Sequence, residues 1–147
     1  DDPRDKPAVV ELLYTYAELI DAGDFDGVGE LLGRASFMGV TGASNIAALF
    51  ASTTRRYPEH GNRTRTRHLV LNPIVDIEGD GARARSTFVV VQDTETVALQ
   101  PIVVGRYADT FARDEQGWHF TERVVDVEMV GDVSAHLTID PRQYGHS

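Results

Sequence analysis

The sequence predicts an α+β fold, in which helices come first and an antiparallel sheet follows. Apolar residues in the first third recur at helical spacing, and three turn motifs divide the remainder into four β-rich runs. Helices followed by a meander of strands are typical of the α+β class. No repeat, linker or low-complexity tract interrupts the 147 residues, so we expect a single domain over residues 1–147.

Three helices are predicted before Pro58. The first covers Lys6–Asp21, where the apolar side chains form one stripe, and Ala22-Gly23 indicates its end. Asp24 is a suitable N-cap for a second, short helix over Phe25–Leu32. The third helix follows the small and polar residues 41–44.

The β-rich runs are bounded by turn residues such as Glu78-Gly79-Asp80-Gly81. They cover Thr64–Ile77, Ala82–Gln92, Val97–Arg113 and Trp118–Val130, and a brief apolar stretch at Ser36–Val40 is a further candidate strand. We expect Pro73 to introduce a bulge into the first long strand, because proline cannot donate a hydrogen bond to the ladder.

Composition excludes several function classes. The formal net charge of −9 argues against a nucleic-acid partner, since such proteins neutralise phosphates with a basic face. Without cysteine there is no disulfide and no thiolate chemistry, and no apolar run approaches the roughly 20 residues that span a bilayer. We therefore expect a cytoplasmic protein with no membrane partner. His60, His119, His136 and His146 show no ligand spacing, so we expect no metal.

Three ionisable side chains interrupt apolar rows. Asp21 continues the helical stripe of Leu13 and Ala17, at spacing i, i+4, i+8. His68 shares one strand face with Val70. Each has an ordinary explanation, a solvated aspartate at a helix end and a hydrogen-bonded strand histidine.

In the last strand, alternation places Arg123, Val125, Val127 and Met129 on one face and Trp118, Phe120 and Val124 on the other. A buried arginine needs a carboxylate or a ligand, and a structural ion pair with Asp109 or Asp126 is the simpler explanation.

Taken together, these residues suit proton abstraction. An aspartate that orients a histidine makes a general base near neutral pH, and an arginine can stabilise the developing anion. Tyr16, just over one turn before Asp21, can supply a hydroxyl to the same space. We expect Asp21 and His68 to lie within hydrogen-bond distance at the edge of an enclosed pocket.

The chain resembles the SnoaL-like members of the nuclear-transport-factor-2-like superfamily from about Lys6 to Val130. The resemblance rests on the segments 16–26, 66–72, 105–107 and 117–123. It implies a cone-shaped barrel, in which a curved, mostly antiparallel sheet wraps around the N-terminal helices and encloses an apolar pocket.

Relatives with a similar layout include scytalone dehydratase, bile-acid 7α-dehydratase and hexachlorocyclohexane dehydrochlorinase, which share a catalytic Asp–His pair. Asp21 and His68 fall where that pair sits, Tyr16 matches a tyrosine of the bile-acid enzyme, and Arg123 matches an arginine of the dehydrochlorinase. Scytalone dehydratase adds a second histidine and a strand tyrosine. Here Ser36–Val40 and Thr87–Gln92 contain no histidine.

The resemblance implies a lyase of the dehydratase type that needs no cofactor and acts on a hydrophobic cyclic or polyketide-like molecule. Alternatives within the family are a non-catalytic binding protein, a polyketide cyclase or isomerase, and a scaffold like a dioxygenase β subunit. The expected pocket walls are Leu13, Phe37, Met38, Phe50, Val70, Val125 and Val127. We also expect a homodimer or homotrimer, in which helices or another subunit cover an outer sheet face formed by Leu69, Leu71, Phe120 and Val124.

Overall fold

The computed structural model describes residues 2–143, which form three α-helices, six strands and two short 3₁₀ turns. The helices are α1 (Asp5–Asp21), α2 (Phe25–Leu31) and α3 (Ala43–Thr53). The strands are β1 (Ser36–Phe37), β2 (Val40–Thr41), β3 (Thr66–Glu78), β4 (Gly81–Gln92), β5 (Gln100–Asp114) and β6 (Gly117–Val130). Across residues 2–143, no helix combines the length and apolar character needed to cross a membrane.

All six strands belong to one curved sheet in the order β2-β1-β6-β5-β4-β3, which does not close into a barrel. Its neighbours are antiparallel except β1 and β6, which run parallel. Helix α1 packs against β3 and β6, and α2 packs against both α1 and α3. The α+β prediction is therefore confirmed, with the helices inside the curve of the sheet.

The predicted elements agree closely with the structure, including the Asp24 cap, whose carboxylate accepts the Gly27 N–H at 2.9 Å. The stretch Ser36–Val40 differs, because it contains a tight hairpin between β1 and β2. Met38 and Gly39 form its two-residue turn with φ values of 50° and 83°, the left-handed pair such a turn requires.

A bulge in β3 reverses which side chains face the interior. The pairing with β4 shifts between Leu71 and Ile74, and Asn72 has a left-handed φ of 53°. Before the bulge, Thr66 and His68 point inward, whereas Val75 is the buried residue after it. The bulge expected at Pro73 is thus confirmed, and it leaves His68 on the inner face.

Two further bulges correct the predicted faces of β6. Its pairing with β5 skips Thr121 and Glu128, so simple alternation fails at both places. Phe120 has no exposed surface and lies on the same inner face as Arg123, whereas Met129 is 60% exposed. The prediction that Phe120 belongs to the outer sheet face was therefore wrong.

The core fills the space between α1 and the inner sheet face. Tyr16 lies at its centre, with ring centroids 5.9 Å from Tyr107, 6.3 Å from Phe50 and 6.4 Å from Phe37. Tilted and edge-on contacts of this kind add to the gain from apolar burial. The aromatic cluster holds the end of α1 against the sheet, which is where the predicted catalytic residues lie.

Candidate active site

Asp21 is the last residue of α1, and the chain turns sharply after it. Gly23 has φ of 74°, and its N–H donates to the carbonyl of Ile20 at 2.9 Å, which ends the helix. A Cβ on Gly23 would lie 2.2 Å from the carbonyl oxygen of Asn62, so only glycine fits there. The turn therefore places the Asp21 carboxylate beside the first residues of β3.

Asp21 and His68 form a hydrogen-bonded pair, which confirms their predicted proximity. His68 Nδ1 lies 2.7 Å from Asp21 Oδ1, and the backbone N–H of His68 donates to Oδ2 at 3.0 Å. Their side chains are only 8% and 11% exposed. Because the carboxylate accepts, the Nδ1 atom carries the proton and the Nε2 lone pair is free for other contacts. Within residues 2–143, no protein group forms a hydrogen bond with the Nε2 atom of His68.

Two buried threonines hold the carboxylate in place. Thr66 Oγ1 donates to Asp21 Oδ1 at 2.9 Å, and its own oxygen lies 2.6 Å from Thr64 Oγ1. Since the Thr66 proton goes to Asp21, Thr64 is the donor in the second contact. Asp21 thus accepts hydrogen bonds from three groups, which fix its rotamer before any ligand arrives.

The pair adjoins an apolar cavity of about 390 Å³, and the His68 ring forms part of its wall. Helices α1 and α3, strands β1 and β3–β6 and the segment after β6 all contribute to the wall. The apolar lining is formed by Ile20, Phe37, Met38, Leu49, Phe50, Phe88, Val90, Val103, Val125, Val127, Leu137, Ile139 and Pro141. The size and lining are those of a site for a small hydrophobic molecule.

Five of the seven expected wall residues line this cavity, namely Phe37, Met38, Phe50, Val125 and Val127. The other two do not. Leu13 is fully enclosed by the core one turn before Tyr16, and Val70 is half-buried against the core, further along β3 than His68. Periodicity predicted which face of α1 and of β3 these two residues occupy. The cavity does not extend far enough along either element to reach them.

Two tyrosines contribute hydroxyl groups. Tyr16 and the unpredicted Tyr107 both line the cavity, and neither hydroxyl is hydrogen-bonded within residues 2–143. Burial raises the pKa of Tyr107 to about 12 and that of Tyr16 well above its ordinary value. Both phenols are therefore protonated at neutral pH and can donate a hydrogen bond to a ligand.

Arg123 lies behind these tyrosines and not at the cavity surface. Its guanidinium carbon sits 3.6 Å from the Tyr107 ring centroid and 4.0 Å from that of Tyr16. Nε is 3.1 Å from Asp109 Oδ1, and both side chains are completely buried. The two groups pair as charges, although no hydrogen bond of good geometry joins them in the described part of the chain. The predicted ion pair with Asp109 is therefore present.

A second histidine also lines the cavity. His136 lies after β6, its ring centroid is 5.7 Å from that of His68, and the two planes meet at 64°. Nothing in the residue pattern predicted this, because the segment after β6 has no periodicity and reaches the cavity through long-range contacts.

Among residues 2–143, no three or more His, Asp or Glu side chains cluster in a way that could hold a metal ion. His146, which the sequence also offered as a possible ligand, is outside the described residues. The described polar residues that line the cavity are two histidines and two tyrosines, together with Thr53, Thr54 and Gln143.

Comparison with known families supports the fold and its type. The family model described as a SnoaL-like domain matches residues 2–124. No curated protein matches the chain. Among solved structures, an NTF2-like protein with a cystatin-like fold from Novosphingobium aromaticivorans is 26% identical, with a TM-score of 0.67 over 90% of this chain and 86% of that one.

Two further structures from the same organism share the fold. A protein provisionally named an aromatic ring hydroxylase is 24% identical, with a TM-score of 0.68 over 90% of this chain and 96% of its own. A protein provisionally named a scytalone dehydratase is 19% identical, with a TM-score of 0.67 over 86% of each chain. At these identities the likeness extends to the fold alone.

Proposed function

The chain belongs to the SnoaL-like domain family, and we propose that it is a cofactor-independent lyase that eliminates a leaving group from a hydrophobic cyclic or polyketide-like molecule. The observation that carries this proposal is the Asp21–His68 pair at the wall of an apolar cavity. An oriented imidazole whose free nitrogen has no protein partner is suited to take a proton from a bound ligand.

In the proposed reaction, His68 Nε2 removes a proton from a carbon of the substrate. The electron pair of that C–H bond forms a carbon–carbon double bond, and the adjacent bond to the leaving group breaks. The leaving group departs with its electron pair and, if it is hydroxide, takes up the proton from His68 to leave as water. Asp21 stabilises the imidazolium that exists between these steps and holds its ring in place.

The two tyrosines support the leaving step in this scheme. Their raised pKa values keep Tyr16 and Tyr107 protonated, so both can donate to an oxygen that becomes negative. Arg123 acts through them as a positioning residue, because its cation lies on both rings and not in the cavity. The apolar walls exclude water and strengthen each of these polar contacts.

The test is to measure ligand affinity and elimination rate in parallel on a panel of hydroxylated and halogenated cyclic compounds. The proteins are wild type, Asp21→Asn, His68→Ala and the double variant, with His60→Ala as a matched control outside the cavity. We expect His68→Ala to lower kcat by about 10²–10⁴-fold, the usual contribution of a general base. Asp21→Asn should leave binding nearly intact, and the two losses should not add, since the pair acts as a unit.

Wild-type turnover by the double variant would refute the proposal. A non-catalytic binding protein is the second candidate, favoured by the mostly apolar lining of the cavity. That protein would bind panel compounds without turning them over in any variant. Each substitution would then weaken binding by about 1–3 kcal/mol, the effect of an unpaired buried polar group.

A further inference from the structure

The last described segment, residues 132–143, crosses the cavity and is called here the C-terminal strap. Its backbone is tied to the end of α3, where Thr138 N donates to Thr53 O at 2.9 Å and Arg55 N donates to His136 O at 2.7 Å. Its Ala135 carbonyl accepts from Gln92 Nε2 at 3.1 Å. These contacts hold the strap over the open end of the sheet.

The strap supplies one wall of the cavity through five side chains, of which His136 is the polar one nearest His68. The match to the SnoaL-like domain ends at residue 124, before the strap begins.

The two ring nitrogens of His136 have different surroundings. Nδ1 is sealed from solvent and has no hydrogen-bond partner within residues 2–143, whereas Nε2 is not sealed in this way. A buried N–H without an acceptor is less favourable than a buried lone pair without a donor. The proton of a neutral ring therefore belongs on Nε2, where it faces the cavity.

His136 is also kept uncharged. Burial, and then the neighbouring His68, lower its pKa to about 3, while Asp21 opposes this shift only in part. At neutral pH the ring is a hydrogen-bond donor and not a cation. The other groups that face it from α1 and β3 are the Asp21–His68 pair, which adds no net positive charge to the cavity.

The distribution of charged groups around the cavity disfavours an anionic ligand. None of the described residues that line the cavity is a lysine or arginine, and Arg123, behind the tyrosines, is already paired with Asp109. A carboxylate in the cavity would have apolar walls, neutral donors and the Asp21 carboxylate nearby. A neutral oxygen acceptor meets the same donors without that repulsion.

We propose that His136 is a substrate-binding residue, whose Nε2–H donates a hydrogen bond to an uncharged carbonyl-type oxygen of the ligand. This inference names the substrate class of the proposed lyase. The reaction rests on the proposed function, whereas the binding of the ligand to His136 does not. With the carbonyl held at His136, the carbon next to it lies toward His68, as the 5.7 Å separation of the rings allows. The hydrogens on that carbon are the acidic ones.

The test uses three bicyclic probes of similar size: α-tetralone, a ketone; tetralin, its hydrocarbon equivalent; and naphthoate, an anion. Their affinities are measured by calorimetry at neutral pH for wild type, His136→Leu, His136→Phe and His136→Gln. Thr138→Val is the control, because Thr138 belongs to the strap without lining the cavity.

We expect wild type to bind α-tetralone about three- to tenfold more tightly than tetralin, the effect of one neutral hydrogen bond. His136→Leu and His136→Phe should lose that preference, so either one suffices if the other does not fold. His136→Gln and Thr138→Val should keep it. Naphthoate should bind more weakly than the ketone.

The proposal is overturned if wild type does not prefer the ketone, if the donor-less variants keep the preference, or if Thr138→Val loses it. Tighter binding of naphthoate than of α-tetralone would also overturn it. A ketone preference without elimination by any variant would contradict the lyase function alone, so the two proposals can fail separately.

Discussion

At the scale of single residues, burial decides which side chains around the cavity carry charge. Desolvation raises the pKa of Tyr107 to about 12 and lowers that of His136 to about 3, so both are neutral donors at physiological pH. Burial also raises the pKa of Asp109 to about 6, although Arg123 acts in the opposite direction. The pKa of Asp109 therefore lies closer to neutral pH than the pKa of Tyr107 or His136.

Arg123 shows how a conspicuous residue can act indirectly. A buried guanidinium without good hydrogen bonds is unfavourable, and its contacts with Asp109 and with the faces of Tyr16 and Tyr107 offset that penalty. These contacts fix the two phenols relative to each other. Arg123 was identifiable in the sequence because it interrupts an alternating apolar strand. Its separation from the cavity depends on how the Tyr16 and Tyr107 rings pack, which strand alternation does not predict.

At the scale of elements, the end of α1 positions Asp21. Replacement of Gly23 by alanine forces a side chain into left-handed backbone and toward the carbonyl oxygen of Asn62, 2.2 Å from the added Cβ. The matched control is Gly79→Ala, where φ is also positive, at 62°, but no atom lies within 4 Å of the added Cβ. We expect Gly79→Ala to lower the free energy of unfolding by about 1–2 kcal/mol and Gly23→Ala to lower it further.

Urea denaturation measures the free energy of unfolding of both variants. The elimination rate, or the rate of hydrogen exchange in a bound ligand, reports whether Asp21 has moved. Equal destabilisation by the two substitutions would mean that the approach of Asn62 does not constrain the helix end.

Element types and order were predictable, because helical and strand periodicity differ in every segment longer than about ten residues. Side-chain direction was predictable only between bulges. The residues Asp21 and His68 precede any irregularity, so their faces were inferred correctly, whereas Phe120 and Met129 lie on either side of skipped pairs in β6. His136 and Tyr107 were missed because nothing local marks a residue that reaches the cavity by long-range contacts.

At the scale of the whole molecule, the outer sheet face carries exposed leucines that nothing covers within residues 2–143. Leu69 and Leu71 are each 40% exposed there, since the helices pack on the inner face only. The homodimer or homotrimer stays a prediction, and light scattering at micromolar concentration should give two or three times the chain mass of 16.2 kDa. Leu71→Glu should shift the protein toward monomer, and a wild-type mass of 16.2 kDa would contradict the prediction.

The central claim is that His68, oriented by Asp21, removes a proton from a carbon of a bound ligand. Exchange of the hydrogens next to the carbonyl of α-tetralone, followed by NMR in deuterium oxide, tests this step without a leaving group. Wild type and His60→Ala should accelerate the exchange, and His68→Ala should reduce it by about 10²-fold or more. Equal exchange with wild type and His68→Ala, at saturating ketone, would contradict the account.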